Sequence, residues 1–304
     1  MHRIAFIGLV AALGLAASAA APALADAQQD VAWCNANARQ QGVSVANRIA
    51  GCTASLKAAG KDKLMRFKLL INRGNAYSDG GDYIRALADF QSAMRIFPDS
   101  GTALLDTANT YARMGQYEEA LKYYSRLVAE APKDAAVLTS RCDVYYRMGR
   151  QTDAMKDCTR AIALDPKYAD AYLVRGNIYY AMAKYYEAYQ SYSQVVALDP
   201  KNARAYGNIG DVYLIASDYK HAIENYDRAI ALDPSDAGTF FNRATSYEGL
   251  ERHGEAIASY DQAIRLKPDY ADAFAARGKV KLKAGDTAGG NADLARAKKL
   301  GAKP

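Results

Sequence analysis

Four cysteines and three histidines are the residues of this 304-residue chain best suited to covalent or metal chemistry. His2, His221 and His253 stand far apart, with no cysteine or carboxylate near them at metal-ligand spacing. No metal and no cofactor is therefore expected. No glycine-rich phosphate loop follows a strand-like segment. Neither SYEG (246–249) nor SYDQ (259–262) has the form of a nucleophile elbow. No catalytic residue is expected, and the chain reads as a non-enzyme. Cys34, Cys52, Cys142 and Cys158 are even in number and could form disulfides in an oxidising compartment, where four cysteines allow three pairings.

The elements that must position these groups come from a repeat. Pro98, Pro132, Pro166, Pro200, Pro234 and Pro268 are each 34 residues apart. Tyr77, Tyr111, Tyr145, Tyr179, Tyr213 and Tyr247 keep the same interval, as do Ala86, Ala120, Ala154, Ala188, Ala222 and Ala256. One unit, 169–202, reads as two helices around a tight turn. Gly176 and Ala188 are small where the helices touch, and Tyr179 and Tyr192 fill the space beside them. Pro200 stops the second helix, because it lacks the N–H that the next turn needs. A helix pair with two apolar faces cannot bury both alone, so successive pairs must stack into a solenoid. Fourteen of the 23 tyrosines sit at positions 11, 17 or 24 of the unit and are read first as packing residues.

These positions resemble the tetratricopeptide repeat family: Gly or Ala at 8, Tyr at 11, Ala at 20, an aromatic at 24, Ala at 27 and Pro at 32. The resemblance covers 67–100, 101–134, 135–168, 169–202, 203–236, 237–270 and 271–304. The last unit departs from the pattern, with Lys281 at position 11, Gly290 at position 20 and no terminal Pro. The implied fold is an all-α, right-handed superhelix (an α-solenoid) of seven helix-turn-helix repeats. An N-terminal helical hairpin cap over 26–66, with helices at 30–40 and 44–60, precedes them.

Hairpin geometry then narrows the cysteine pairing. The midpoint of Cys34 and Cys52 falls at the Gly42 turn, and that of Cys142 and Cys158 at the Gly149–Arg150 turn, so each pair is level across two antiparallel helices. A crossed pairing would span about three repeats, far beyond the roughly 6 Å Cα separation a disulfide tolerates. A Cys34–Cys52 bridge is expected in the cap. Cys142 and Cys158 occupy packing positions 8 and 24, where they form either a bridge or two buried thiols acting as small apolar residues.

The family resemblance implies an inner wall made by positions 2, 5, 9 and 12 of each first helix. Positions 5, 9 and 12 share one helical face. Position 9 reads Asn75, Asn109, Asp143, Asn177, Asp211, Thr245 and Lys279, with Tyr146 and Tyr180 at position 12 and Phe241 at position 5. Asn75, Asn109, Asp143, Tyr146, Asn177, Tyr180, Asp211 and Phe241 form the candidate groove. An Asn amide can pair with the backbone of an extended peptide without reading its sequence, and apolar neighbours supply side-chain pockets. Ordinary repeat consensus accounts for the Asn ladder equally well. Some relatives hold a C-terminal carboxylate with groove lysines and an arginine. Here Ile71, Asn75, Asn109, Thr139 and Asp143 stand at those positions, so an acidic tail is a poor partner. Arg73, Arg141, Arg175, Arg243 and Arg277, all at position 7, are read as inter-repeat ion pairs rather than an anion track.

Residues 1–25 read as a cleaved export signal: Arg3, an apolar run from Ile4 to about Ala17, and Pro22-Ala23-Leu24-Ala25 before Asp26. An uncleaved anchor is the competing reading of that stretch. Losing Arg3 takes the formal net charge from +6 to +5, with no concentrated basic stripe, so nucleic acid is not an expected partner. No stable membrane insertion is expected once the signal is removed. The expectation is a periplasmic, non-catalytic scaffold of the bacterial envelope, binding extended segments of envelope proteins in its groove. A saccharide-binding module that stacks sugars on Tyr146, Tyr180 and Phe241 is the alternative. The sequence does not set an oligomeric state.

Overall fold

The computed structural model describes residues 20–36 and 42–302, and the export-signal assignment lies largely outside these residues. Sixteen α-helices and no strands are found among the described residues. They are α1 (Ala20–Asn35), α2 (Val45–Ala58), α3 (Lys63–Asp79), α4 (Tyr83–Ile96), α5 (Gly101–Arg113), α6 (Tyr117–Glu130), α7 (Ala135–Arg147), α8 (Gln151–Leu164), α9 (Ala169–Ala181), α10 (Tyr185–Leu198), α11 (Ala203–Ile215), α12 (Tyr219–Leu232), α13 (Ala237–Gly249), α14 (His253–Leu266), α15 (Ala271–Lys283) and α16 (Thr287–Lys299). The expected period is visible directly, since the odd-numbered helices from α5 onward begin 34 residues apart. The helices divide into two compact units, Met1–Gln116 and Tyr117–Pro304, with the boundary in the turn after α5.

Local chemistry sets the helix ends. Asp62, Ser100, Asp134, Asn202 and Asp236 each accept a backbone N–H from the first turn of the helix they precede, satisfying donors that have no partner within the helix. Position 15 of every repeat closes the first helix with a left-handed residue. Gly81, Gly115, Gly149 and Gly285 take that conformation, but Ala183, Ser217 and Glu251 take it too, at φ near 57°. In the fourth repeat, Ala183 N–H bonds Tyr180 C=O and Lys184 N–H bonds Tyr179 C=O, the hydrogen-bond pair of a left-handed helix C-cap.

Within a repeat, the ring at position 24 lies on the small residue at position 8. A Cβ built on Gly176 would stand 2.4 Å from the Tyr192 ring, and one on Gly210 would stand 2.6 Å from the Tyr226 ring. Tyr124, Tyr192, Tyr226, Tyr260 and Phe90 are buried accordingly. The tyrosines at positions 11 and 17 are only partly buried, apart from Tyr77, so among the expected packing positions it is 24 that holds the core.

The third repeat solves the same packing problem differently. Cys142 and Cys158 replace the small residue and the ring, and they are joined by a disulfide with a Cα–Cα distance of 5.6 Å. Cys34 and Cys52 are joined as well, at 4.5 Å, linking α1 to α2. The cap helices are shifted from their expected ends: α1 starts at Ala20 and stops at Asn35, and α2 spans Val45–Ala58. Polar bonds dock the hairpin on α3. Arg48 pairs with Asp79 at 2.7 Å, Asn72 donates to Asn35 at 3.0 Å, and Arg73 donates to Thr53 at 3.2 Å. In the last pair, Gly278 and Gly290 face each other across α15 and α16, where the carbonyl of each would be 2.9 Å from a Cβ on the other. The loss of Ala at position 20 therefore tightens the crossing.

The position-7 arginines divide between bonds within their own repeat and the expected inter-repeat ion pairs. Arg73, Arg141 and Arg277 each make a two-pronged bond to the buried Asp at position 23 of the same repeat, Asp89, Asp157 and Asp293. Arg175 and Arg243 meet Ser191 and Ser259 there instead. The expected inter-repeat ion pair is made by Arg243, to Asp227, and by Arg277, to Asp261.

Candidate functional site

In the second unit, first helices of successive repeats approach one another, α7 with α9 and α11 with α13. These helices carry the candidate residues. Asn75 and Asn109 lie in the first unit, on α3 and α5. Asp143 and Tyr146 on α7, Asn177 and Tyr180 on α9, Asp211 on α11 and Phe241 on α13 lie in the second.

Four of them come together. Tyr146, Asn177, Tyr180 and Asp211 line one cleft of about 90 Å³, completed by Tyr192 and Asn208. Tyr180 also meets Tyr185 edge to face at 5.6 Å. Three others are placed apart from this cleft. Asp143 pairs with Arg147 at 2.7 Å. Phe241 stacks on Tyr270 at 5.2 Å and meets the edge of Tyr260. Asn75 donates to Asp106 of the next repeat at 3.2 Å.

The position-9 side chains are structural acceptors as well as surface groups. Asn177 Oδ1 accepts from Tyr192 O–H at 2.9 Å and from Asn208 Nδ2 at 3.1 Å. Asp211 Oδ1 accepts from Tyr226 O–H at 2.7 Å and Asn242 Nδ2 at 2.8 Å. The fourth and fifth repeats thus each tie their own buried ring to position 6 of the next repeat through one oxygen. Position 6 is the residue that sequence reasoning missed. Its polar run, Asn72, Asp106, Ser140, Asn208 and Asn242, was available at the same period of 34. In the third repeat Asp143 has no such ring, since position 24 is Cys158. Val174 stands at position 6 of the following repeat and packs on the disulfide.

Burial dominates the electrostatics. Desolvation pushes the Asp211 carboxyl above its usual range, against the two hydrogen bonds that lower it. The Tyr192 and Tyr180 hydroxyls are likewise raised, first by burial and then by the charge of Asp211. Among the described residues no group of three or more His, Cys, Asp or Glu side chains could hold a metal ion.

Comparison with known proteins accounts for the geometry. Family models described as "Tetratricopeptide repeat" match residues 79–141 and 203–236, and one described as "TPR repeat" matches 142–183, 176–216 and 250–285; together they span more than half of the chain. The chain belongs to the tetratricopeptide repeat family. A tetratricopeptide repeat protein from Parabacteroides merdae superposes with a TM-score of 0.58 at 22% identity, covering 78% of this chain and 94% of that one. The Cut9–Hcn1 APC/C heterotetramer gives 0.66 at 17%, covering 85% of this chain and 50% of that one. YrrB, a TPR protein with an unusual peptide-binding site, gives 0.51 at 20%, covering 59% and 92%. At these identities the likeness is one of fold. No curated protein matches the sequence.

Proposed function

We propose that this tetratricopeptide repeat protein is a non-catalytic scaffold that holds an extended segment of a partner polypeptide on the face formed by its first helices. The observation that carries this reading is the cleft between α7, α9 and α11. It gathers the rings of Tyr146 and Tyr180, the amides of Asn177 and Asn208 and the Asp211 carboxylate on neighbouring repeats. An extended chain advances about 3.3 Å per residue, so alternate side chains can reach successive repeats while its backbone runs along the face. YrrB shares the fold and has a peptide site, which is consistent with this use. A saccharide platform built on Tyr146, Tyr180 and Phe241 is less well supported, because Phe241 is occupied by Tyr270 and Tyr260.

Export to an oxidising compartment such as the periplasm is part of the same proposal. Two disulfides suit it, and no described helix is long and apolar enough to cross a membrane. Photo-crosslinking tests the binding face. A benzophenone amino acid at position 180 is expected to capture a polypeptide from the native envelope, whereas one at the exposed Tyr186 on α10 is not. Equal capture at both positions, or capture at 186 alone, would move binding away from this face.

A further inference from the structure

Asp211, like Asp106 in the first unit, differs from Asp89, Asp143, Asp157 and Asp293 in how its charge is met. Asp89, Asp157 and Asp293 each face an arginine fork, and Asp143 faces Arg147. Asp211 is bonded only by neutral donors, Tyr226 and Asn242, and both bonds fall on Oδ1. Among the described residues no Lys, Arg or His makes an ion pair with it. An anion removed from water without a counter-charge is costly, and an arriving cation relieves that cost. Asp236, at the N-terminus of α13, adds a second negative charge that acts on the same carboxyl.

The surroundings suit a cation in shape as well as in sign. Tyr146 and Tyr180 present aromatic surface, which attracts an ammonium or guanidinium through the ring quadrupole, and the buried Tyr192 also lines the cleft. Asn177 and Asn208 add amide groups at the rim. At about 90 Å³ the recess is far smaller than the roughly 300–1,000 Å³ of small-molecule sites, and it matches the head of one long side chain.

We propose that the Asp211 cleft is a recognition pocket for a single basic side chain, Lys or Arg, of the bound polypeptide. This rests on the reading that the first-helix face binds an extended segment. The chain itself carries a net positive charge, so the preference arises from this local carboxylate and its aromatic walls rather than from long-range attraction.

The test is panning of a random nonapeptide display library on the full mature protein and on D211N. The Asn side chain keeps an oxygen for Tyr226 and Asn242, and matched thermal melting confirms the fold. Wild type is expected to enrich peptides with Lys or Arg at one register. Replacing that residue with citrulline or norleucine in a synthetic peptide should weaken binding roughly tenfold or more, as loss of a charge-assisted contact does. D211N should bind the basic and neutral peptides within about twofold of each other. A second variant, Tyr180→Leu, should reduce the same preference while leaving Asp211 in place. Enriched peptides without a basic register, or a basic preference that survives D211N, would overturn the pocket and leave the groove standing. Enrichment of no peptide over a non-binding control protein would overturn the groove reading, and the pocket with it.

Discussion

The hydroxyl of Tyr192 donates to Oδ1 of Asn177 at 2.9 Å, and Asn208 of the next repeat donates to the same oxygen at 3.1 Å. One amide oxygen therefore joins the buried ring of its own repeat to the first helix of the following one. A residue read from sequence as a surface ligand is also part of the joint between repeats. In a solenoid such nearest-neighbour joints carry much of the stability.

Asn177→Ala is consequently expected to destabilise the second unit by about 1–3 kcal/mol, because two donors in a partly dry site lose their acceptor. Asn177→Asp, which keeps an oxygen in place, should be milder. Chemical denaturation followed by far-UV circular dichroism measures both. A midpoint for the Ala variant equal to wild type would show that the joint is not energetically significant.

Both bridges should be present in protein recovered from an oxidising compartment. Non-reducing peptide mapping is expected to show Cys34 linked to Cys52 and Cys142 to Cys158. Replacing either pair by serines should cost about 3 kcal/mol in the chain-entropy account of loops this long. The locations should separate the effects. Losing Cys34–Cys52 should raise amide exchange in α1 and α2, whereas losing Cys142–Cys158 should raise it in α7, α8 and their neighbours. Alkylation of all four thiols without reductant would contradict the bridges.

How much of this was readable beforehand follows from which forces are periodic. The helix pairs and their turns were legible because proline stops and small contact residues follow the 34-residue spacing. The Cys34–Cys52 bridge was legible because its midpoint falls on the Gly42 turn, whereas Cys142 and Cys158 could equally have been buried thiols. Asn177 and Asp211 were legible as first-helix face residues, but not as acceptors for Tyr192 and Tyr226, because a helical face records direction and not reach. A tyrosine at position 24 is long enough to cross the helix pair and emerge beside position 9. The arginines show the same limit. Their register was clear, yet whether Arg73 turned to Asp89 in its own repeat or to the preceding hairpin depended on side-chain geometry.

Three consecutive turns hold strain that can be relieved. Ala183, Ser217 and Glu251 adopt φ of 56°, 58° and 57° where four other repeats use glycine. All three are exposed, so a change there removes no buried contact. Each substitution by glycine is expected to add about 0.5–1 kcal/mol, the relief of the left-handed penalty less the added freedom of the unfolded chain. The sites share no partners, and the gains should add. A triple variant with a denaturation midpoint at or below that of wild type would show that the turns are not strained.

The last expectation concerns pH and the first unit. Asp106 stands at position 6 of the second repeat, where burial pushes its carboxyl up to about 6, opposed by the hydrogen bond from Asn75. The unperturbed value is 3.8, so the folded state holds this proton more tightly than the unfolded state does. The stabilisation from binding that proton is fully present below pH 3.8. It declines as pH rises toward about 6 and is gone above it. At neutral pH the native protein thus keeps a poorly solvated charge there that the unfolded chain carries more easily. Asp106→Asn removes the charge while leaving an oxygen for Asn75. The variant should gain about 1–3 kcal/mol over wild type at pH 8, where two pKa units of linkage set the upper limit. Near pH 4, where the wild-type carboxyl is protonated in the native state, most of that advantage should disappear. Denaturation of both proteins at the two pH values provides the measurement. An Asn variant with the same relative stability at pH 4 and pH 8 would mean that Asp106 titrates normally and that its site is wet.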